Sequence, residues 1–220
     1  MMTNLFSSFD PATSISFSSN WLSSIMFVMM MPYSFWVMPN QIQMLFNKSL
    51  NMLNKEMTTL MMKKSPTTLT LVSLFMFILY NNIMGLLPYI YTSSSQMTFT
   101  LSMALPLWVS FMLFGWINNT NHMFAHLIPT GTPAILMPFM VCIETTSNII
   151  RPGSLAVRLT ANMIAGHLLM TLLGNASSSN ELIIPIIIIQ LMLMWFEMAV
   201  SLIQAYVFTI LSTLYSSEVI

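Results

Sequence analysis

Residues 65–220 form an almost unbroken series of apolar runs, each close to the length of a membrane crossing. About 20 apolar residues cross the hydrocarbon of a bilayer as a helix. Only 5% of the residues in the chain are charged and 56% are hydrophobic, whereas soluble domains carry about 25% charged residues. The sequence therefore predicts an all-α polytopic membrane protein. A net charge of +0 argues against a nucleic-acid partner, which would require a basic face.

Five transmembrane helices and one surface helix can be assigned along a single membrane domain of residues 1–220. Residues 39–64 place apolar side chains at helical spacing opposite a polar face, which indicates an amphipathic helix on the membrane surface. Residues 67–117 are predicted to form a two-span hairpin, and residues 134–220 a longer hairpin. The predicted spans are about 14–36, 67–89, 97–117, 134–173 and 181–215.

The last two spans are about twice the roughly 20 residues that cross a bilayer upright. Excess helix length is absorbed by tilt or kinking. We therefore predict that this long hairpin is strongly tilted, with a local bend near Pro152 and Gly153.

The lysines predict the orientation of the chain in the membrane. All of them lie between the first and second spans, and positively charged loops stay on the side of synthesis. Five crossings then place the N-terminus outside and the C-terminus inside. The N-terminal residues 1–20 lack the basic region of a secretory signal. The sequence also shows no internal repeat, which argues against an inverted-repeat transporter. The lysines are Lys48, Lys55, Lys63 and Lys64.

Arg158 lies inside the apolar run of residues 155–162. An arginine at the middle of a bilayer costs about 2.5–3.5 kcal/mol on insertion scales, so it normally faces a partner, water or an ion path. No acidic residue lies within one helical turn of Arg158 in the sequence. We expect its counter-charge to come from elsewhere, such as another chain.

The other polar groups of the last two spans fall on common helix faces. Glu144, Arg151 and Arg158 are seven residues apart, a spacing that drifts by only about 20° per step, whereas His167 faces elsewhere. Because arginine does not release its proton, titratable groups on both sides of Arg158 suggest two proton half-paths joined by a moving partner. The groups are Glu144, Arg151, Arg158, His167 and Glu197, with the amides Asn162, Gln190 and Gln204.

Each of these residues also has a structural interpretation. A single glutamate or histidine in a membrane can simply bridge helices, Gln190 is more typical of helix packing, and Arg151 can neutralise Glu144. His122 and His126 have the i, i+4 spacing of a metal pair, but no third ligand is evident nearby, so an interfacial role is favoured. We expect no metal, cofactor or catalytic site in this chain.

Two stretches resemble a known family. Residues 155–169 read LAVRLTANMIAGHLL and residues 197–208 read EMAVSLIQAYVF. Together with residues 125–133 (AHLIPTGTP) and 143–145 (IET), they resemble the subunit a family of F-type ATP synthases in its mitochondrial form. The predicted layout of spans is also similar to that family over essentially the whole chain.

The resemblance implies a non-catalytic, proton-translocating stator subunit in the mitochondrial inner membrane, with its N-terminus on the intermembrane side and its C-terminus in the matrix. Arg158 would face a rotating ring of c subunits, and Glu144 would belong to the matrix half-channel. Arg151 receives no channel role, because members of the family often carry an uncharged polar residue there. Peripheral-stalk subunits, other membrane stator subunits and lipid would be further neighbours. The half-channel open to the intermembrane side would be lined by Asn162, His167, Glu197 and Gln204.

Two other classes of function remain compatible with the composition. An antiporter-like subunit of another proton- or ion-translocating complex would place lysine and glutamate in broken helices within repeats, but no lysine follows Lys64. A purely structural membrane scaffold needs no arginine in a span. Contact with a ring of small two-helix hairpins would distinguish the stator role from both.

Overall fold

The computed structural model describes residues 5–13, 17–32, 35–61, 67–128, 133–176 and 183–219. This part of the chain is helical and contains no β-strand, which confirms the all-α prediction. Short 3-10 turns lie at Leu5–Phe9, Ser19–Leu22, Ser93–Ser95 and Ala134–Leu136. The α-helices are α1 (Ser23–Met30), α2 (Gln41–Leu60), α3 (Thr67–Gly85), α4 (Met97–Asn118), α5 (Thr120–His126), α6 (Met137–Ala176) and α7 (Ile183–Val219).

Four of these helices, α3, α4, α6 and α7, are long and apolar enough to cross a membrane. The predicted first span, 14–36, contains a four-residue 3-10 turn followed by the eight-residue α1. This helical segment is shorter than the roughly 20 residues of a crossing, so the count of five spans is not confirmed. The α1 helix ends because Met31 is extended, as expected for a residue that precedes a proline.

Helix α2 is the predicted amphipathic helix, with bounds slightly inside 39–64. Its start is fixed by Gln43, whose Oε1 accepts a hydrogen bond from the backbone N–H of Asn40 at 3.0 Å. One face carries Phe46, Leu50 and Leu53, which pack against the core cluster. Its position on the membrane surface stays a prediction, and Lys63 and Lys64 lie outside the described residues.

The core lies where α3, α4, α6 and α7 meet. Small residues on the buried face of α7, such as Ser201 and Ala205, allow neighbouring helices to approach closely. Ser201 Oγ donates to the Met198 carbonyl oxygen at 2.7 Å, so its polarity is satisfied within its own helix. The buried apolar residues of this core cluster are Phe75, Met76, Ile78, Ala104, Leu155, Ala156, Leu159, Ala205 and Phe208.

Helices α6 and α7 form the long hairpin that the sequence predicts. Helix α6 is continuous over 40 residues, through Pro152, and is therefore about 60 Å long at 1.5 Å per residue. A break at Pro152 is thus excluded. Helix α7 has 37 residues. The tilt of both helices in the membrane, and the local bend, stay predictions.

Candidate functional site

A cavity of about 750 Å³ lies at the end of the hairpin where α6 finishes and α7 begins. The 3-10 turn Leu5–Phe9, the connection between α3 and α4, and both long helices contribute to its walls. Both apolar and polar side chains line it, so it is a space that can hold water next to titratable groups. Its polar lining residues include Asp10, Asn20, Tyr91, His167, Gln190 and Glu197.

Glu197 is buried, with 7% of its surface exposed, and its carboxylate lies directly against Gly166 of α6. A Cβ atom at position 166 would fall 2.6 Å from Glu197 Oε1 and closer still to Oε2. Real Cβ atoms are not found so near to another heavy atom. The carboxylate of Glu197 therefore occupies the space that the missing side chain of Gly166 leaves.

His167 lines the same cavity as Glu197 and is held in one orientation. Its Nε2 is 2.8 Å from the carbonyl oxygen of Gly85, and its ring meets the edge of the Phe9 ring at a centroid distance of 6.2 Å. A carbonyl oxygen only accepts hydrogen bonds, so Nε2 carries the proton in this contact. In the neutral ring, Nδ1 is then the nitrogen that can take up a proton.

The backbone of Phe9 also links the N-terminal segment to the region between α3 and α4. The carbonyl oxygen of Phe9 accepts hydrogen bonds from Gln96 Nε2 at 2.7 Å and from Tyr91 Oη at 3.3 Å. Burial raises the pKa of Tyr91; the hydrogen bond with Gln96 opposes this, and the nearby charge of Asp10 adds to it. The Tyr91 hydroxyl therefore keeps its proton and remains a donor at neutral pH.

Arg158 lies on an exposed face of α6, away from the cavity lining. Its neighbours on this face, Ser154, Ala161 and Ala165, are small and also exposed. The ion pairs formed by the described residues all involve Arg151, and Arg158 takes part in none of them. The described part of the chain thus supplies no carboxylate to Arg158.

The contact between Gly166 and Glu197 fixes the register of the antiparallel hairpin. Eight residues before Gly166 on α6 is Arg158, and eight residues after Glu197 on α7 is Ala205. Gln204 is therefore at about the level of Arg158, and Asn162 is one turn from Arg158 toward the cavity. Both amide side chains are half-buried and lie outside the cavity lining.

Glu144 belongs to a separate cluster at the other end of the hairpin. Arg151 Nη2 is 3.6 Å from Glu144 Oε1, and Arg151 Nη1 donates to Glu218 Oε2 of α7 at 2.8 Å. The ring of Tyr215 lies 5.1 Å from the guanidinium carbon. Of the predicted site residues, His167 and Glu197 thus share a cavity, whereas Glu144 and Arg158 each lie elsewhere.

Comparison with known proteins identifies the family. A sequence model of the ATP synthase A chain matches residues 15–217. The chain belongs to the ATP synthase A chain family. ATP synthase subunit a of Drosophila melanogaster is 59% identical over 223 residues, that of Anopheles gambiae 59% over 225 residues, and that of Locusta migratoria 59% over 224 residues. Each alignment covers 100% of this chain and 100% of the relative, which confirms the resemblance inferred from residues 155–169 and 197–208.

Several residues of the cavity region and of the Arg151 cluster are not apparent from the sequence motifs. Asp10 and Gln96 reach the cavity region through a fold that brings distant parts of the chain together. Glu218 lies on the same seven-residue series as Gln190, Glu197 and Gln204, but the apolar Leu211 interrupts that series.

The predicted histidine pair does not complete a metal site in the described structure. His122 is on α5, and the side chain of His126 lies outside the described residues. Across the part of the chain that the structure describes, no group of three His, Cys, Asp or Glu side chains could hold a metal ion.

Proposed function

We propose that this chain is the proton-translocating stator subunit of an F-type ATP synthase in the mitochondrial inner membrane. It would form two offset half-channels against a rotating ring of c subunits and would carry no catalytic site of its own. The observation that carries this proposal is Arg158, an exposed arginine of an apolar helix that forms no ion pair with the described residues. An exposed arginine in a span requires a partner or an aqueous path.

The surface around Arg158 supports a partner that approaches as a helix. Ser154, Ala161 and Ala165 have small side chains, and small residues let the backbones of membrane helices come close together. A carboxylate on each helix of the ring would then meet the guanidinium of Arg158. Because arginine stays protonated, Arg158 attracts the ionised carboxylate and interrupts direct proton transfer between the two half-channels.

The cavity with His167 and Glu197 would be the half-channel open to the intermembrane side. The lysine-bearing α2 contacts the C-terminal half of α7, where Tyr206 Oη donates to Glu56 Oε2 at 3.2 Å. The cavity lies at the opposite end of α7. With the lysines on the side of synthesis, the C-terminus would be in the matrix and the cavity would open to the intermembrane space.

The mechanism follows from the cost of charge in lipid. A proton taken up through His167 and Glu197 neutralises a ring carboxylate, which can then turn into the hydrocarbon; an ionised carboxylate could not do so cheaply. After nearly a full turn, the carboxyl group releases its proton toward Glu144. Each charge that crosses 100 mV supplies about 2.3 kcal/mol, so several protons are needed per ATP. The family assignment favours this role over an antiporter-like or purely structural one.

Contact with the ring can be tested by photocrosslinking. In a Cys142→Ser background, which removes the exposed native thiol, Ala161→Cys would carry a benzophenone maleimide one turn from Arg158. We expect adducts with the c subunit, identified by mass spectrometry of the intact complex. Val109→Cys, exposed on α4, is the control and should give little c-subunit adduct. Equal c-subunit labelling from both positions would contradict the proposed interface.

Joint action of His167 and Glu197 can be tested by a double-mutant cycle. Because both residues line one cavity, His167→Ala and Glu197→Gln should each lower proton flux strongly, and the double variant should be no worse than the poorer single variant. Thr171→Val changes another lining residue without removing a titratable group and should leave most of the flux. A double loss equal to the product of the single losses would show that the residues act independently.

A further inference from the structure

The imidazole ring of His167 is held at Nε2, which is 2.8 Å from the carbonyl oxygen of Gly85. One hydrogen bond of ordinary length does not by itself fix the ring, because the last torsion of a histidine side chain is broad. The ring also lines the cavity, where water can compete for Nε2 whenever the bond opens. A second contact on the ring would oppose this rotation.

The side chain of Phe9 makes such a second contact. The centroids of the Phe9 and His167 rings are 6.2 Å apart, and the two ring planes are inclined by 85°. Aromatic pairs favour near-perpendicular arrangements with centroid distances of about 4.5–7 Å. Phe9 is half-buried and lines the same cavity. Rotation of the His167 ring would therefore disturb the contact with Phe9 together with the bond to Gly85.

Phe9 is itself anchored on two sides. The 3-10 turn Leu5–Phe9 packs against α6, the helix that carries the histidine. The carbonyl oxygen of Phe9 accepts hydrogen bonds from Gln96 Nε2 at 2.7 Å and from Tyr91 Oη at 3.3 Å. Gln96 is the N-cap residue of α4, and its backbone N–H donates to the carbonyl oxygen of Ser93 at 3.1 Å. The shorter of the two bonds thus comes from a residue whose own backbone is fixed.

The same turn contains a second phenylalanine with a different environment. Phe6 has 68% of its surface exposed and does not line the cavity. It has the same side chain in the same turn as Phe9, but it is not part of the cavity wall. Phe6 is therefore the matched control for Phe9.

We propose that Phe9 is a positioning residue of the half-channel, which keeps the His167 ring turned with Nε2 toward the Gly85 carbonyl group. This inference rests on the proposed function. Because a carbonyl oxygen accepts hydrogen bonds and cannot donate them, this orientation selects the neutral ring with its proton on Nε2. The proton in transit then forms an N–H bond with Nδ1 and leaves from the same nitrogen. A ring that turns freely would present either nitrogen and would lose the geometry that rapid proton transfer requires.

The orientation of His167 can be tested by chemical modification of the complete ATP synthase in its membrane. Diethyl pyrocarbonate reacts with an unprotonated imidazole nitrogen, and the initial rate at His167 is read by mass spectrometry. Phe9→Leu keeps an apolar side chain but removes the ring, so the rate should rise about 3- to 10-fold, the factor that corresponds to one aromatic pair. Phe9→Tyr keeps the ring and should leave the rate near that of wild type, as should Phe6→Leu.

Proton flux shows whether Phe9 acts through His167. Phe9→Leu should lower the flux, because the reacting nitrogen is less well placed. In a His167→Ala background, the same substitution should cause no further loss, since the ring that it positions is absent. Gln96→Met removes the shorter hydrogen bond to the Phe9 carbonyl group while both rings remain. It should change the modification rate and the flux in the same directions as Phe9→Leu.

Faster modification with Phe9→Leu, and no further loss of flux in the His167→Ala background, support the proposal. An unchanged modification rate, an equal rise with Phe6→Leu, or a further loss in the double variant overturns it. If Phe9→Leu does not assemble, Gln96→Met decides, and an unchanged rate at His167 then overturns the proposal. Failure of the proposed function is recognised separately, because Arg158→Ala would then retain ATP synthesis, whereas the modification rate of His167 does not depend on synthesis.

Discussion

Replacement of Arg158 by alanine is expected to abolish both ATP synthesis and ATP-driven proton pumping while the complex still assembles. The guanidinium is exposed and forms no ion pair with the described residues, so its removal leaves no buried carboxylate of this chain unpaired in that region. In the proposed mechanism, the stabilisation that is lost concerns only a charge on the partner. Without Arg158, nothing at this level would attract the proposed ring carboxylate or separate the two proposed half-channels.

Arg158→Lys should also lose most coupled activity, although it keeps a cation. Lysine lacks the planar guanidinium with its five donors, and it can lose its proton when it is buried. Lys48→Ala removes an exposed cation from α2 and should leave activity intact. ATP synthesis and proton pumping would be measured in membranes that contain equal amounts of assembled complex. Coupled activity near wild type in Arg158→Ala would refute the role of Arg158.

The helices of this fold could be predicted from apolar length alone, since the bounds of α3, α4, α6 and α7 follow where apolar runs begin and end. The first span is not confirmed in this way, because its residues have the hydrophobicity of a crossing but the described helical segment covers only Ser19–Met30. Before this segment, Thr13 Oγ1 donates to the carbonyl oxygen of Phe17 at 2.9 Å, a local bond that competes with helix formation, and Met31 and Pro32 end the segment. Hydropathy does not report either effect.

The polar residues of α6 and α7 could be found because ionisable groups are rare in spans. How these residues group in space depends on contacts between helices, which the periodicity of the sequence does not predict. The sequence allowed Glu197 to face His167, whereas the carboxylate lies against Gly166, and Nε2 of His167 bonds to Gly85. The hydrogen bond from Gln96 to the carbonyl of Phe9 joins residues far apart in the chain, and no local pattern indicates it.

Because the Glu197 carboxylate lies against Gly166, the substitution Gly166→Ala tests whether the position of this carboxylate matters for proton flux. The added methyl group would lie 2.6 Å from Glu197 Oε1 and nearer to Oε2, so the carboxylate must move. Because it is the end of a flexible side chain, it can rotate away and the helices need not separate. We expect a complex that assembles normally but has lost about 10- to 100-fold of its proton flux, since displacement of a reacting group by about 1 Å has effects of this size.

Two further variants separate displacement of Glu197 from a general effect of alanine in α6. A Cβ atom at Gly174 of the same helix would meet no heavy atom within 4 Å, so Gly174→Ala should keep wild-type flux. In the Gly166→Ala background, Glu197→Asp shortens the acidic side chain by one methylene group and makes room for the new methyl group, so it should recover part of the lost flux. Proton flux is measured by the quenching of a pH-sensitive dye in vesicles of matched complex content. If Gly166→Ala pumps as well as Gly174→Ala, the position of the Glu197 carboxylate against α6 has no part in proton transfer.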